Sequence, residues 1–168
     1  ALDRNHLKSR RIGMEKIDFV LTWVDGSDPD WLAQRREYQP GRGTDAGESR
    51  YRDWDNLQYW FRGVEKFAPW VNKIYFVTWG HVPKWLNTAH EKIQIVKHED
   101  FMAPAYLPTF NINSIELNLH RIKGLSEHFV FFNDDMFLID SVRPEDFFKN
   151  GFPCDCCIET ALVQDNIR

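Results

Sequence analysis

The sequence is poor in cysteine, has no excess of positive charge and contains no long apolar run. Its 168 residues carry a formal net charge of -4, which excludes a nucleic-acid binder held mainly by phosphate contacts. No apolar run is long enough to span a membrane and no signal-peptide pattern opens the chain, so we predict no transmembrane segment. A chain of this length fits one domain with a sizeable core.

The three cysteines, Cys154, Cys156 and Cys157, stand together near the end of the sequence. A disulfide framework would spread them along the chain, and a zinc site would need a second pair of ligands. We therefore predict free thiols in a reducing compartment, which makes the protein cytoplasmic. A role for the cluster, attachment to the inner face of the membrane and the oligomeric state stay open.

Strand-like runs alternate with helical patterns along the chain. Four runs rich in β-branched and aromatic residues predict strands, at residues 17–24, 73–78, 93–96 and 129–132. The last run is apolar throughout, which predicts a strand covered on both faces. The alternation predicts an α/β fold in which helices flank a mostly parallel sheet.

One helix is predicted from a cap at Asp53 to about residue 67. Its apolar positions Leu57, Phe61 and Val64 recur at helical spacing and are expected to face inward, with Trp60 on the flank. Aromatic residues make up 15% of the chain, a share that suits either a thick core or a surface that stacks on sugars or bases. Core is the default expectation for them.

The sequence also predicts two segments without regular structure, residues 1–13 and residues 34–49. Residues 1–13 are polar and basic without an apolar period, and Met14 directly precedes the first strand-like run. We expect residues 1–13 to be a flexible leader or tag and residues 14–168 to form the domain; a basic arm touching a membrane or an acidic partner is the alternative. Residues 34–49 are charged and rich in glycine, which predicts a mobile loop of the kind that binds substrate.

Acidic residues follow the first predicted strand directly. Asp25 and Asp28 lie in the turn D-G-S-D-P. Open α/β sheets place ligands where strands end in such turns, so Asp25 is a candidate site residue and Asp28 a weaker one. Arg52 and Asp53 precede the start of the predicted helix, where anions bind well, and are candidate substrate-binding residues. Solvated side chains are the alternative for them.

The stretch 111–137 carries the remaining candidates. A short helix is predicted there, with Asn113 or Ser114 at its start and Gly124 at its end. Glu116 and His120, four residues apart, would share one face of that helix.

Several polar residues of this helix are candidates. Glu116 is a plausible base for an acceptor hydroxyl, and Arg121 could clamp a phosphoryl oxygen. Asn113 and His120 are candidate substrate contacts, His120 as a supporting or core residue rather than a base. The other histidines, at positions 81, 90 and 98, are expected to be polar loop residues.

The predicted strand 129–132 ends in the acidic tripeptide Asn133-Asp134-Asp135. Two adjacent carboxylates there would repel each other unless a cation lies between them. Oxygen ligands favour Mg²⁺ or Mn²⁺ over zinc, so Asp134 and Asp135 are predicted metal ligands. A solvated turn, in which Asn133 and Asp134 make local hydrogen bonds, is the alternative.

Three blocks of the sequence together resemble the Stealth family of sugar-phosphate transferases. The first is I-D-F-V-L-T-W-V-D-G-S-D-P, at residues 17–29. The second covers residues 50–87, from R-Y-R-D-W-D-N-L to W-G-H-V-P-K-W-L-N. The third covers residues 107–137 and contains N-I-N-S-I-E-L-N-L-H-R and F-V-F-F-N-D-D-M-F. The length and order of these blocks make the resemblance more specific than any short motif.

The resemblance implies a GT-A-like (Rossmann-like) fold. It also implies transfer of a hexose or N-acetylhexosamine 1-phosphate from a UDP-sugar donor to a hydroxyl of a glycan acceptor, as in capsular polysaccharide synthesis. It assigns a catalytic glutamate to Glu116, a catalytic aspartate to Asp135 and the first-block aspartate to Asp25. The family continues into blocks with a catalytic histidine and an arginine, which nothing after residue 148 matches. We therefore expect an incomplete sheet and no turnover by this chain alone.

Two other functions stay open. An ordinary GT-A glycosyltransferase would use the same strand-end acids but attack the anomeric carbon and release UDP instead of UMP. A non-catalytic module would bind the sugar or the nucleotide without turnover.

Overall fold

The structure, a computed structural model, describes residues 16–38 and 54–155, and the statements below concern those residues. The predictions for residues 1–13, for Arg52 and Asp53, and for Cys156 and Cys157 lie outside them, as does most of the predicted loop 34–49. Cys154 lies within them and is an exposed free thiol.

Four parallel strands form the central sheet. They are β1 (Ile17–Thr22), β2 (Ile74–Thr78), β3 (Ile93–Lys97) and β4 (His128–Phe132), in the order β3-β2-β1-β4. In β1, Val20 lies opposite Tyr75 of β2 and Phe131 of β4. The predicted α/β fold with a parallel sheet flanked by helices is confirmed.

The two inner strands are buried throughout, whereas β4 is not. Every residue of β1 and β2 is buried. In β4 only Phe132 is buried, and the other four residues are half-buried. Val130 and Phe132 nevertheless pack on the core of one face, and Phe129 and Phe131 pack on the core of the other. The prediction that residues 129–132 are covered on both faces is thus confirmed, although the cover is less complete than for β1 and β2.

Four α-helices accompany the sheet in the described ranges. They are α1 (Pro29–Tyr38), α2 (Leu57–Phe67), α3 (Ile112–Glu116) and α4 (Pro144–Phe147). A short antiparallel pair follows, β5 (Phe148–Lys149) with β6 (Phe152–Pro153). In these ranges no helix combines the length and the apolar character needed to cross a membrane.

Helix α1 contradicts part of the predicted loop, because residues 34–38 are helical. Asp28 caps the helix: its Oδ1 accepts hydrogen bonds from the backbone N–H groups of Asp30 at 3.0 Å and Trp31 at 2.9 Å. Pro29 supplies the first helical residue, a position that needs no N–H donor. Only Trp31 and Arg35 are buried in α1, so the sequence lacked the apolar period on which helix prediction depends.

Helix α2 turns Trp60 toward the core rather than onto its flank. Leu57, Trp60, Gly63 and Val64 are its buried residues, and Phe61 is only half-buried. At 100° per residue the buried arc is centred between Trp60 and Val64, which leaves Phe61 at its margin. The predicted inward position of Phe61 is wrong to that extent.

The predicted single helix between residues 113 and 124 is two pieces. Helix α3 ends at Glu116, and a separate 3₁₀ turn covers Leu119–Arg121. The cap is Asn111, whose side chain accepts a hydrogen bond from the N–H of Asn113 at 3.0 Å. Gly124 adopts φ +86°, the left-handed conformation for which glycine is favoured.

Each face of the sheet carries an apolar core. On one face Phe19 contacts the rings of Phe132, Trp70 and Phe147, with centroid distances of 4.8, 5.6 and 5.8 Å. Val20, one residue further along β1, belongs to the core of the other face, as the alternation of side chains in a strand requires.

Candidate functional site

The order of the strands creates a crevice at one edge of the sheet. The chain passes from β1 to β2 and β3 on one side of β1, then returns to β4 on the other side. The connection that leaves β1 therefore runs away from β4, and the strand order reverses between β1 and β4. In open parallel sheets, ligands bind outside the carboxyl ends of the strands at such a point.

A cavity of about 210 Å³ lies at this position. The end of β1 contributes Thr22, Trp23 and Val24 to its wall, and the segment after β4 contributes Asn133 and Asp134. The rest of the wall comes from other connections and from α1, β2 and α3, with the residues Trp31, Val77, His98, Thr109, Phe110, Ile112 and Ile115. The cavity is thus apolar and aromatic on most sides and acidic on one.

The turn after β1 holds Asp25 beside this cavity. Asp25 is half-buried, and its Oδ1 accepts hydrogen bonds from the N–H of Ser27 at 2.9 Å and from the Ser27 hydroxyl at 2.6 Å. Burial raises the pKa of Asp25, but the hydrogen bonds from Ser27 and the neighbouring His81 outweigh it and leave that pKa lowered. Asp25 is therefore charged at neutral pH.

His81 belongs to the same turn in space, although it follows β2. Its Nε2 accepts the backbone N–H of Asp25 at 2.7 Å. The ring lies against Trp23, with a centroid distance of 5.2 Å, and against Trp79 at 5.7 Å. Burial lowers the pKa of His81, and the nearby Asp28 and Asp25 oppose the shift without cancelling it.

His98 follows β3 and lines the cavity. Burial lowers its pKa to about 4, and the charge of His81 adds to the effect. His98 is neutral at neutral pH for that reason. The sequence prediction placed His81 and His98 among polar loop residues and so missed both, although a signal was present: each lies within three residues of the end of a predicted strand.

The acidic tripeptide Asn133-Asp134-Asp135 forms a turn that borders the cavity. The N–H of Met136 donates to the carbonyl of Asn133 at 3.2 Å, so the segment is a turn. Asn133 and Asp134 also line the cavity, and Asp135 is exposed next to them. The described ranges contain no group of three or more His, Cys, Asp or Glu side chains with metal-site geometry.

The candidate residues that precede the tripeptide do not line the cavity in the part of the chain that the structure describes. They are Asn113, Glu116, His120 and Arg121. Glu116 is half-buried at the end of α3, one residue after Ile115, which does line the cavity. Asn113 and His120 are exposed. The Arg121 guanidinium donates to Asn118 Oδ1 at 3.3 Å. The structure thus brings Asp134 to the cavity and Asp25 beside it, and it places Arg121 against its own helical segment.

The fold and this site define an α/β protein with a ligand crevice at the switch point of a parallel sheet. Two family models match the chain: Stealth protein conserved region 1 at residues 15–43 and Stealth protein conserved region 2 at residues 50–154. The chain belongs to the Stealth family.

Several proteins of streptococci are similar to the chain. It is 56% identical over 142 residues to the capsular polysaccharide phosphotransferase WcwK of Streptococcus pneumoniae, covering 83% of this chain and 43% of WcwK. It is 54% identical over 145 residues to the receptor polysaccharide phosphotransferase WefC of Streptococcus oralis, covering 83% and 44%. The identity to the capsular polysaccharide phosphotransferase eps5J of Streptococcus thermophilus is 52% over 151 residues, covering 88% and 63%. The chain spans less than half the length of the first two.

Proposed function

We propose that the protein transfers a sugar 1-phosphate from a UDP-sugar to a hydroxyl group of a glycan acceptor during capsular polysaccharide synthesis. The observation that carries this proposal is the placement of two acidic turns, one at Asp25 and one at Asp134, on either side of the switch point. The names of the similar phosphotransferases, WcwK among them, support the reaction class.

In the proposed reaction the acceptor oxygen attacks the β-phosphorus of the donor. A new P–O bond forms there, the bond to the UMP oxygen breaks, UMP leaves, and the bond between sugar and phosphate stays intact. Glu116 takes the proton from the acceptor hydroxyl. Its half-buried position beside the cavity wall supports this role.

The remaining groups orient the reactants. The transition state spreads negative charge over phosphoryl oxygens, so positioning and positive charge supply most of the catalysis. Asp25, fixed by Ser27 and His81, orients the donor at the edge of β1. Arg121 exchanges its contact with Asn118 for a phosphoryl oxygen. Asn113 and His120, both exposed, are proposed substrate contacts, together with Arg52 and Asp53 from outside the described residues.

The tripeptide 133–135 suits Mg²⁺ or Mn²⁺ bound together with the donor. Its donor set is carboxylate and amide oxygen, which these hard ions prefer. Mg²⁺ is commonly held by one or two carboxylates plus substrate phosphates rather than by a full cage of side chains. Asp134 and Asp135 would hold the ion. When bound, it would neutralise diphosphate charge during the transfer.

Titration calorimetry of the 168-residue chain with UDP-N-acetylglucosamine tests the donor and metal sites. We expect binding that strengthens when Mg²⁺ or Mn²⁺ is added, and we expect Asp135→Asn to abolish that dependence. Asp140→Asn is the matched control: Asp140 is an exposed aspartate whose Oδ1 accepts the Ser141 N–H at 2.7 Å, a bond that asparagine retains. Metal-independent binding, unchanged by Asp135→Asn, would leave the tripeptide a simple turn.

The released nucleotide tests the reaction itself. The chain alone and the full product of its gene are each incubated with UDP-sugar, Mg²⁺ and a glycan acceptor, and nucleotides are separated chromatographically. We expect UMP from the full product, a rate from the chain no higher than the blank, and loss of UMP release on Glu116→Gln. Release of UDP would identify a glycosyltransferase. Binding without turnover in either form would identify a non-catalytic module.

A further inference from the structure

One hydrogen bond connects the turn after β1 to the loop after β2. The N–H of Asp25 donates to His81 Nε2 at 2.7 Å, across 56 positions of sequence. A backbone N–H can only donate, so Nε2 must carry a free lone pair. The neutral imidazole that satisfies this bond has its proton on Nδ1.

The remaining contacts hold the ring in place. Trp23 and Trp79 pack against it. Nδ1 is buried, has no hydrogen-bond partner among residues 16–38 and 54–155, and lies 3.7 Å from Asp28 Oδ2, too far for a hydrogen bond. Asp28 is itself occupied as the cap of α1. The turn 25–28 is therefore held at Asp25 by the hydrogen bond to His81 and at Asp28 by the cap of α1.

We propose that His81 is a positioning residue: the uncharged imidazole, protonated on Nδ1, fixes the Asp25 turn at the cavity, and protonation releases it. An imidazolium carries hydrogen on both nitrogens and offers no acceptor to the Asp25 N–H. The expected effect of His81 on donor binding rests on the proposed function. The tautomer of His81 and its hydrogen bond with the Asp25 N–H do not.

The charges around the ring act in opposite directions. Asp28 and Asp25, from the turn after β1, favour the imidazolium. His98, from the segment after β3, is the nearby group on the other side, and His81 lowers the pKa of His98. Burial of the ring also favours the neutral form, and it exceeds the effect of the two carboxylates. The geometry thus keeps the acceptor available at neutral pH and removes it in acid.

Nuclear magnetic resonance of the chain labelled with ¹⁵N-histidine reads the tautomer directly. At neutral pH we expect His81 to show a protonated Nδ1 and an unprotonated Nε2, with the signals assigned by their loss in His81→Gln. On acidification both nitrogens should become protonated, and the Asp25 amide should lose its protection from hydrogen exchange in the same pH interval. A proton on Nε2 at neutral pH, or an Asp25 amide unprotected throughout, would overturn the proposal.

Two substitutions separate positioning from packing. The carboxamide oxygen of His81→Gln can accept the Asp25 N–H and cannot titrate, whereas His81→Leu fills space without an acceptor. We expect Asp25 amide protection in His81→Gln and its loss in His81→Leu. UDP-N-acetylglucosamine binding with Mg²⁺ should weaken roughly two- to tenfold in His81→Leu, the range for one hydrogen bond, and recover in His81→Gln.

The pH profile completes the test. Donor binding by the wild-type chain should weaken on acidification through the His81 titration, and binding by His81→Gln should lack that step. Equal weakening in both variants, or an identical pH profile in wild type and His81→Gln, would reduce His81 to a packing residue. Absence of donor binding in every form would refute the proposed function. The tautomer and hydrogen-exchange measurements would still show whether the Asp25 N–H is hydrogen-bonded to His81.

Discussion

Replacing Asp18 by asparagine tests how the amino-terminal edge of the sheet is held together. Asp18 is fully buried in β1. Its Oδ1 accepts hydrogen bonds from Asn72 Nδ2 at 2.6 Å and from the Lys73 N–H at 3.1 Å, and its Oδ2 accepts the Ser126 N–H at 2.8 Å. One carboxylate therefore joins the start of β1 to the segments that lead into β2 and β4.

The size of the effect follows from which bonds asparagine can keep. Its single oxygen can still accept from Asn72 and Lys73, but its NH₂ group then faces the Ser126 N–H, donor against donor. Losing a hydrogen bond to a charged group costs about 1.5 to 3 kcal/mol, and leaving a buried donor unsatisfied costs about 1 to 3 kcal/mol. We expect Asp18→Asn to lower the free energy of unfolding by about 2 to 4 kcal/mol, because the two costs describe one broken hydrogen bond and overlap.

Urea unfolding at neutral pH, followed by tryptophan fluorescence, measures this loss. The midpoint should fall while the slope of the transition stays constant, because the surface exposed on unfolding does not change. Glu127→Gln is the matched control: Glu127 is exposed, lies next to Ser126 and loses the same charge, so it should alter the free energy by no more than about 0.5 kcal/mol. An Asp18→Asn variant within about 1 kcal/mol of wild type would refute the reasoning.

Three further changes have defined outcomes. Burial lowers the pKa of His98 from 6.5 in the unfolded chain to about 4 in the folded chain, so the unfolded chain takes up the proton first as the pH falls. The free energy of unfolding should therefore fall by about 2 kcal/mol between pH 7 and pH 5. Urea titrations at several pH values should show a weaker pH dependence of that free energy in His98→Gln. Gly63→Val should cost about 1 to 3 kcal/mol, since even a Cβ there would lie 3.1 Å from the Leu138 carbonyl. Gly124→Ala, at φ +86°, should cost about 1 to 2 kcal/mol in the same assay.

The strands could be predicted from the sequence because their signal is local. Runs of β-branched and aromatic residues between turn residues identify β1 to β4 within one or two residues of their ends. The strand order is not local. Nothing in the run 129–132 indicates that it pairs with β1 alone among the described strands, so the partial exposure of β4 could not be predicted.

A helix could be predicted from the sequence only where its apolar residues recur at helical spacing. Helix α2 has a buried arc and was found, although Trp60 and not Phe61 lies at its centre. Helix α1 exposes most of its residues, and it depends on the Asp28 cap more than on an apolar stripe. The buried Asp18 carries no local signal either, because its partners Asn72 and Ser126 are distant in sequence.

The rule that pointed to Asp25 and Asp134 applies equally to the other two strands. Every strand of a parallel sheet ends at the same edge, so Asp25, His81, His98 and Asp134 come to one region from four separate segments. The two histidines have lowered pKa values and add no positive charge at neutral pH. Asp25, which is charged at neutral pH, therefore lies beside a cavity proposed to receive a diphosphate. A carboxylate and a phosphate repel each other unless a cation lies between them, which gives a second reason, beside the tripeptide, to expect donor binding to depend on a divalent metal.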